Sequence, residues 1–190
     1  MKKEFISILL LSLTVICNSQ EKRISVRSGA GYYFDIISAV GGPIVWLEGS
    51  YRFNTGISIN GRLSMATMEW KMDGGDFKGF KTFEIRQMAD VVFSRQVKLK
   101  GNNFLEPGLG FKLKRDCFLR PEITDVYSNG THYQYLDYSH VFYEIGFTLC
   151  LDYYYQFESN FYLGLRADSN VIWALGFEGL SVTPLFGFRF

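Results

Sequence analysis

What this chain has little of narrows the field first. Beyond the first twenty residues no apolar run approaches the ~18 residues of a membrane-crossing helix, so a helical membrane protein is excluded. Excess charge is missing as well. Twenty basic against 19 acidic residues leave a net charge of +1, which removes the electrostatic case for nucleic acid or an acidic partner. Three cysteines are too few for a disulfide framework, and Cys117 and Cys150, which fall on opposite strand phases, are expected as free thiols. Histidine is scarcer still. His132 and His140 are the only two, and Ser139 beside His140 points to the opposite face of a strand. A catalytic site needs a base with an orienting group, so no enzyme, cofactor or metal centre is expected. Asp73-Gly74-Gly75-Asp76 offers too few oxygen ligands for a calcium loop and reads as a solvated turn.

What is present begins with an export signal. Lys2 and Lys3 precede an apolar stretch from Phe5 to Cys17, and Cys17 and Ser19 stand at the minus-three and minus-one positions of a cleavage site. Residues 1–19 are therefore expected as a signal peptide and 20–190 as one domain. The rival reading, Cys17 as a lipidated cysteine, lacks the small residues that such processing prefers before it. The remaining chain is rich in aromatics, with 12 Tyr, 18 Phe and 3 Trp, and holds 19 Gly. That mixture suits twisted β-structure with aromatic belts at a membrane interface.

The main signal is a period of two. From Val141 to Phe157 the odd residues (Tyr143, Ile145, Phe147, Leu149, Leu151, Tyr153) are apolar, and the even ones include Glu144, Thr148 and Asp152. The pattern predicts eight strands near 24–37, 43–54, 56–70, 81–98, 104–118, 140–157, 160–174 and 179–190. Strands this long exceed the ~5–6 residues usual in soluble sheets and match the ~9–11 that cross a bilayer at a tilt. The connections at 54–56, 100–102 and 158–159 are tight, whereas 71–80 and 119–139 are long, the contrast expected of periplasmic turns and surface loops. The predicted fold is all-β: a single antiparallel, up-and-down barrel of eight strands. Its apolar stripes face outward. Gln87 and Arg95 break that face. Trp70, Trp173, Phe34, Phe83 and Tyr143 are expected in one interface girdle. Tyr51, Phe53, Tyr153, Tyr155, Phe157, Phe161, Phe188 and Phe190 are expected in the other.

The opposite phase is full of charge. Arg27, Glu48, Arg52, Arg62, Glu84, Arg86, Asp90, Glu106, Lys112, Glu144, Asp152, Arg166 and Asp168 point inward, as do Asp35, Lys114, Asp116 and Arg189. The signs nearly cancel. Buried charges persist when paired, and eight strands leave a lumen that side chains fill, so a closed, salt-bridged interior is expected. A narrow water-filled pore is the alternative. A soluble barrel holding lipid would need an apolar interior instead.

Leu185-Phe186-Gly187-Phe188-Arg189-Phe190 resembles the closing strand of outer-membrane β-barrels, with alternating aromatics and a terminal Phe. Taken with the export signal and the eight alternating segments, the chain is similar to the OmpA/OmpX-type eight-stranded class and to the PorT-like barrel group. The resemblance implies that Phe186, Phe188 and Phe190 are read by the barrel-assembly machinery. It also implies residence in the outer membrane of a Gram-negative cell, in contact with its lipid. It transfers no catalytic residue. The lipid A deacylases and palmitoyltransferases among such barrels need a His that activates a Ser or water, and neither His132 nor His140 opens the His-x-Ser sequence of the deacylases.

One surface feature remains. Asn129-Gly130 is a strong two-residue hairpin signal. Pairing about it sets Tyr127 opposite His132 and Val126 opposite Tyr133, one residue out of step with the membrane strands. A β-bulge is therefore expected, with Pro121 its natural place. The prediction is a two-stranded ribbon above the barrel that displays Tyr127, Tyr133, Tyr135 and Tyr138 to an extracellular or envelope protein.

Overall fold

The computed structural model describes residues 23–71, 79, 81–128, 131–173 and 175–190, and for residues 120–128 and 131–139 it describes the backbone alone. The expected signal peptide, the Asp73–Asp76 turn and the Asn129-Gly130 pair lie outside the described residues. The strands are β1 (Ile24–Asp35), β2 (Val40–Arg52), β3 (Ile57–Lys71), β4 (Lys81–Arg95), β5 (Val97–Lys98), β6 (Asn103–Ser128), β7 (Thr131–Gln156), β8 (Phe161–Ile172) and β9 (Gly176–Arg189). Each strand pairs antiparallel with its neighbours, β1 pairs with β9, and β4 pairs with β6. Two-residue β5 continues β4 past Gln96 and pairs with the same partner, β6. The wall is thus a closed barrel of eight staves.

The register sets the dimensions. Ile24 pairs with Tyr51, Tyr51 with Ile59, Ile59 with Phe93 and Phe93 with Leu109. Leu109 then pairs with Leu149, Leu149 with Ser169, Ser169 with Leu180 and Leu180 with Phe34. One circuit therefore returns to β1 displaced from Ile24 to Phe34. With eight strands, that stagger and ordinary strand spacing give a tilt of about 40° and a backbone radius of about 8 Å. Such a barrel has room inside for side chains and little else.

Alternation then sorts the residues. Leu63, Phe111 and Ile145 stand 66%, 64% and 66% exposed on the outer wall, among more than thirty other large apolar residues that face out. No water-soluble protein leaves a continuous apolar belt of that extent uncovered, and a closed sheet has no unpaired backbone to offer to lipid. Among the described outward polar groups, Gln87 accepts a hydrogen bond from Arg115 Nη1 at 2.8 Å, so the two are paired on the wall.

Two kinds of boundary differ from expectation. The fourth stave breaks at Gln96, whose side chain takes part in hydrogen bonds with Arg52 and Tyr154. Two connections at the loop end, 36–39 and 173–175, are as short as the turns. The ribbon matches expectation: beyond the barrel rim β6 and β7 continue with Tyr127 paired to His132 and Val126 to Tyr133, and their register shifts between Leu119 and Glu122, where Pro121 lies.

Candidate functional site

The inward side chains form three tiers between the turn end, where Ile24 and Phe190 lie, and the loop end. At the turn end Arg27 donates from Nη1 to Asp152 Oδ2 at 2.9 Å, from Nη2 to Glu106 Oε2 at 2.8 Å and from Nε to the Tyr162 hydroxyl at 3.1 Å. Arg166 grips Glu48 with Nη1 and Nη2 at 2.8 and 3.0 Å, and Asp152 with Nε and Nη2, both at 2.6 Å. Arg52 completes the tier 3.8 Å from Glu106. Three guanidiniums face three carboxylates, and Arg166 holds both of its partners in the bidentate geometry that makes Arg pairs strong. The Trp46 ring lies against Arg166, with the guanidinium 4.2 Å from the ring centre, and its Nε1 donates to Thr183 Oγ1 at 2.9 Å. Gly29 makes room for that ring: a Cβ there would sit 2.7 Å from it.

The middle tier is smaller. Arg62 donates from Nε to Asp90 at 2.9 Å, from Nη1 to Asp168 at 2.6 Å and from Nη2 to Thr148 at 3.2 Å. Lys112 adds a contact of 3.1 Å to Asp90. Two cations meet two carboxylates. A void bounded by Tyr33, Trp46, Arg62, Met88, Lys112 and Asp168 measures about 10 Å3, about enough for a single water.

At the loop end Arg86 reaches four carboxylates. Its contacts are Asp35 at 2.8 Å, Glu84 at 2.6 Å, Asp116 at 2.9 Å and Glu178 at 3.4 Å, and Nη1 also donates to the Tyr33 hydroxyl at 2.7 Å. Lys114 pairs with Asp116 at 2.8 Å and with Glu144 and Glu178. Of the seventeen charges expected inside, sixteen lie in one of the tiers, with Glu144 the most exposed of them at the mouth, while Arg189 donates to Gln156 at 3.0 Å.

Two features went unread in the sequence. Glu178 lies on the lipid-facing phase of β9 if pairing runs unbroken, yet it is buried beside Gly179. The cause is a bulge: Asn170 pairs with Gly179 but Val171 pairs with Phe177, so Glu178 is left over and turns inward. The available signal was chemical, since a carboxylate among outward-facing aromatics is costly against acyl chains. The second is apolar packing within the lumen. Tyr33, Ile44, Ala66, Met68 and Met88 form one cluster, and Trp46, Tyr154, Tyr162 and Leu185 another. Trp70 also needs correcting. Its residue type assigns it to the lipid-facing girdle, but its phase is that of Arg62 and Met68, and it packs at the mouth against Phe118, ring centres 6.3 Å apart.

The remaining candidates are elsewhere. Phe186, Phe188 and Phe190 face outward at the seam with β1, where the Phe190 amide donates to the Ile24 carbonyl at 2.8 Å. Tyr127, Tyr133, Tyr135 and Tyr138 lie on the backbone of the ribbon, and their side chains are outside the described residues. His140 pairs with Phe118 at its base. A concavity of about 590 Å3 lies on the outer wall around Ala89, Leu63 and Leu113, a dip that acyl chains can fill.

No protein-family model matches the chain, and no characterised protein matches it in sequence. Solved structures do match in fold. Neisserial surface protein A (NspA) superposes with a TM-score of 0.60 at 11% identity, covering 90% of this chain and 98% of that one. Ail, the attachment invasion locus protein of Yersinia pestis, in complex with the heparin analogue sucrose octasulfate, gives 0.53 at 11% identity, covering 88% and 99%. A major outer membrane protein from Thermus thermophilus gives 0.55 at 14% identity, covering 88% and 99%. The chain therefore has the fold of the eight-stranded outer-membrane β-barrels.

Proposed function

We propose that this protein resides in the outer membrane and uses a closed barrel as a rigid base from which the β6–β7 ribbon meets a partner outside the cell. The observation that carries this reading is the length of β6 and β7. Seven residue pairs, from Glu122–Asp137 to Ser128–Thr131, continue beyond the bulge, while β4 and β8 stop pairing with them at Leu119 and Gly146. A filled lumen supports a platform better than a pore. Tyr127, Tyr133, Tyr135 and Tyr138 would give such a ribbon large contact area at low entropic cost. Ail, whose fold is similar, is named for attachment and was solved with a heparin analogue, so surface attachment is a role this fold accommodates. Export through residues 1–19, assembly through Phe186, Phe188 and Phe190, kinship with the PorT-like group and the absence of catalysis belong to the same proposal.

Deleting residues 122–138 tests it. The barrel should still assemble and keep heat-modifiable gel migration, while adhesion of cells expressing it to host or neighbouring cells is lost. Unchanged adhesion would remove the ribbon from the account. Recovery of the intact protein in a soluble periplasmic fraction, without detergent, would remove the membrane.

A further inference from the structure

Above the third tier the lumen opens into a cavity of about 220 Å3. Among the described residues that line it, Asp35, Glu84, Asp116, Glu144 and Glu178 face only two cations, Arg86 and Lys114. Each of those cations is already committed: Lys114 to three carboxylates, Arg86 to four and a tyrosine hydroxyl. Among the described residues negative charge is therefore in excess here, and in neither of the tiers below. An unsatisfied oxygen coincides with that excess. Glu178 is 2% exposed, and its Oε2 is buried with no hydrogen-bond partner, which is costly for a carboxylate oxygen.

The rim over this acidic floor is aromatic. Trp70, Phe118 and Phe142 occupy inward phases of β3, β6 and β7, and the Phe118 ring meets Trp70 at 79° and Phe142 at 77°. Ile37 and Leu175 complete the apolar rim. Aromatic rings over carboxylates that outnumber their cations form an environment that holds an organic cation, since ring quadrupole and carboxylate attract the same charge. We propose that the mouth binds a primary ammonium or guanidinium group carried on an apolar body. The cavity is smaller than the roughly 300–1,000 Å3 of drug-sized sites, so it takes one side-chain-sized group. A divalent metal suits it less well. Asp116, Glu144 and Glu178 bring ligand oxygens within 4.8 Å of one another, but the Lys114 ammonium pairs with all three and would have to be displaced. This site does not rest on the ribbon, so the two readings fail separately.

The test is calorimetric titration of the full refolded protein in a maltoside detergent, whose headgroup carries no cation. The probes are benzylammonium, its neutral counterpart benzyl alcohol, a short acetylated peptide with one Arg, and calcium alone. Benzylammonium or the peptide should bind one to one, at least tenfold more tightly than benzyl alcohol. The tighter of the two shows whether a free amine or a protein side chain is the natural occupant. Glu178→Gln and Trp70→Leu should each weaken that binding at least fivefold. Trp70→Leu removes only a rim contact, so it keeps the test decisive if Glu178→Gln does not fold. Equal binding of the alcohol, no saturable binding of either cation, binding indifferent to Trp70→Leu, or calcium binding without amine binding would each overturn the proposal.

Discussion

At the turn end of the lumen Arg27, Arg52 and Arg166 face Glu48, Glu106 and Asp152 one for one; at the loop end Arg86 and Lys114 face five carboxylates. Both sets are held by the same wall and are largely buried. They differ in what borders them. The lower set is enclosed by Trp46 on its loop side and by Tyr154 and Tyr162 on its turn side, packed into a cluster with Leu185, so its charges find their partners within the protein. The upper set borders an open cavity and can leave charge for something that enters. The contrast teaches that a filled barrel is uniform along its axis only in shape. Charge balance divides it into a structural plug and a receptive mouth.

The sharpest way to break this comparison is to remove a cation from the balanced tier. Arg166→Ala leaves Glu48 and Asp152 buried without their bidentate partner, and should cost about 3–5 kcal/mol in urea unfolding from lipid vesicles. A loss under about 1 kcal/mol would mean that water reaches the tier and that the plug is not closed. Next in size is a charge on the outer wall. Leu149→Arg lies mid-strand on β7 and should cost about 2–4 kcal/mol by the same assay, whereas unchanged folding would show that this face does not meet lipid. The smallest effect belongs to the mouth. Glu144→Gln removes one of the surplus carboxylates and should shift stability by no more than about 1 kcal/mol, while Glu48→Gln in the lower tier costs clearly more. Equal costs for the two would erase the distinction between the tiers.

Period two was enough to place sixteen charges in the tiers of the lumen, because a one-residue phase error flips every side chain and the apolar stripe leaves no choice of phase. The ribbon register was equally accessible, since a two-residue turn fixes pairing and the mismatch with the barrel demands a bulge. Where the pattern misled, a local event had broken the period. Glu178 escaped because a second bulge, at the start of β9, restarts the count. Trp70 resembles an interface anchor by residue type alone, although its phase beside Arg62 and Met68 places it inward. The lumen's aromatic clusters were hidden for another reason. Tyr33, Trp46 and Met88 sit on the inward phase like the charges, and only their three-dimensional convergence shows that they pack together.

The claim on which the rest depends is that the lower tiers seal the lumen. Planar-bilayer recording of the purified, refolded protein measures this directly. A sealed barrel, with Arg27, Arg62 and Arg166 locked to their carboxylates, gives no stable unit conductance, and Arg166→Ala is the first variant in which current steps should appear. Reproducible unit steps from the unsubstituted protein would contradict the account and make the barrel a narrow pore.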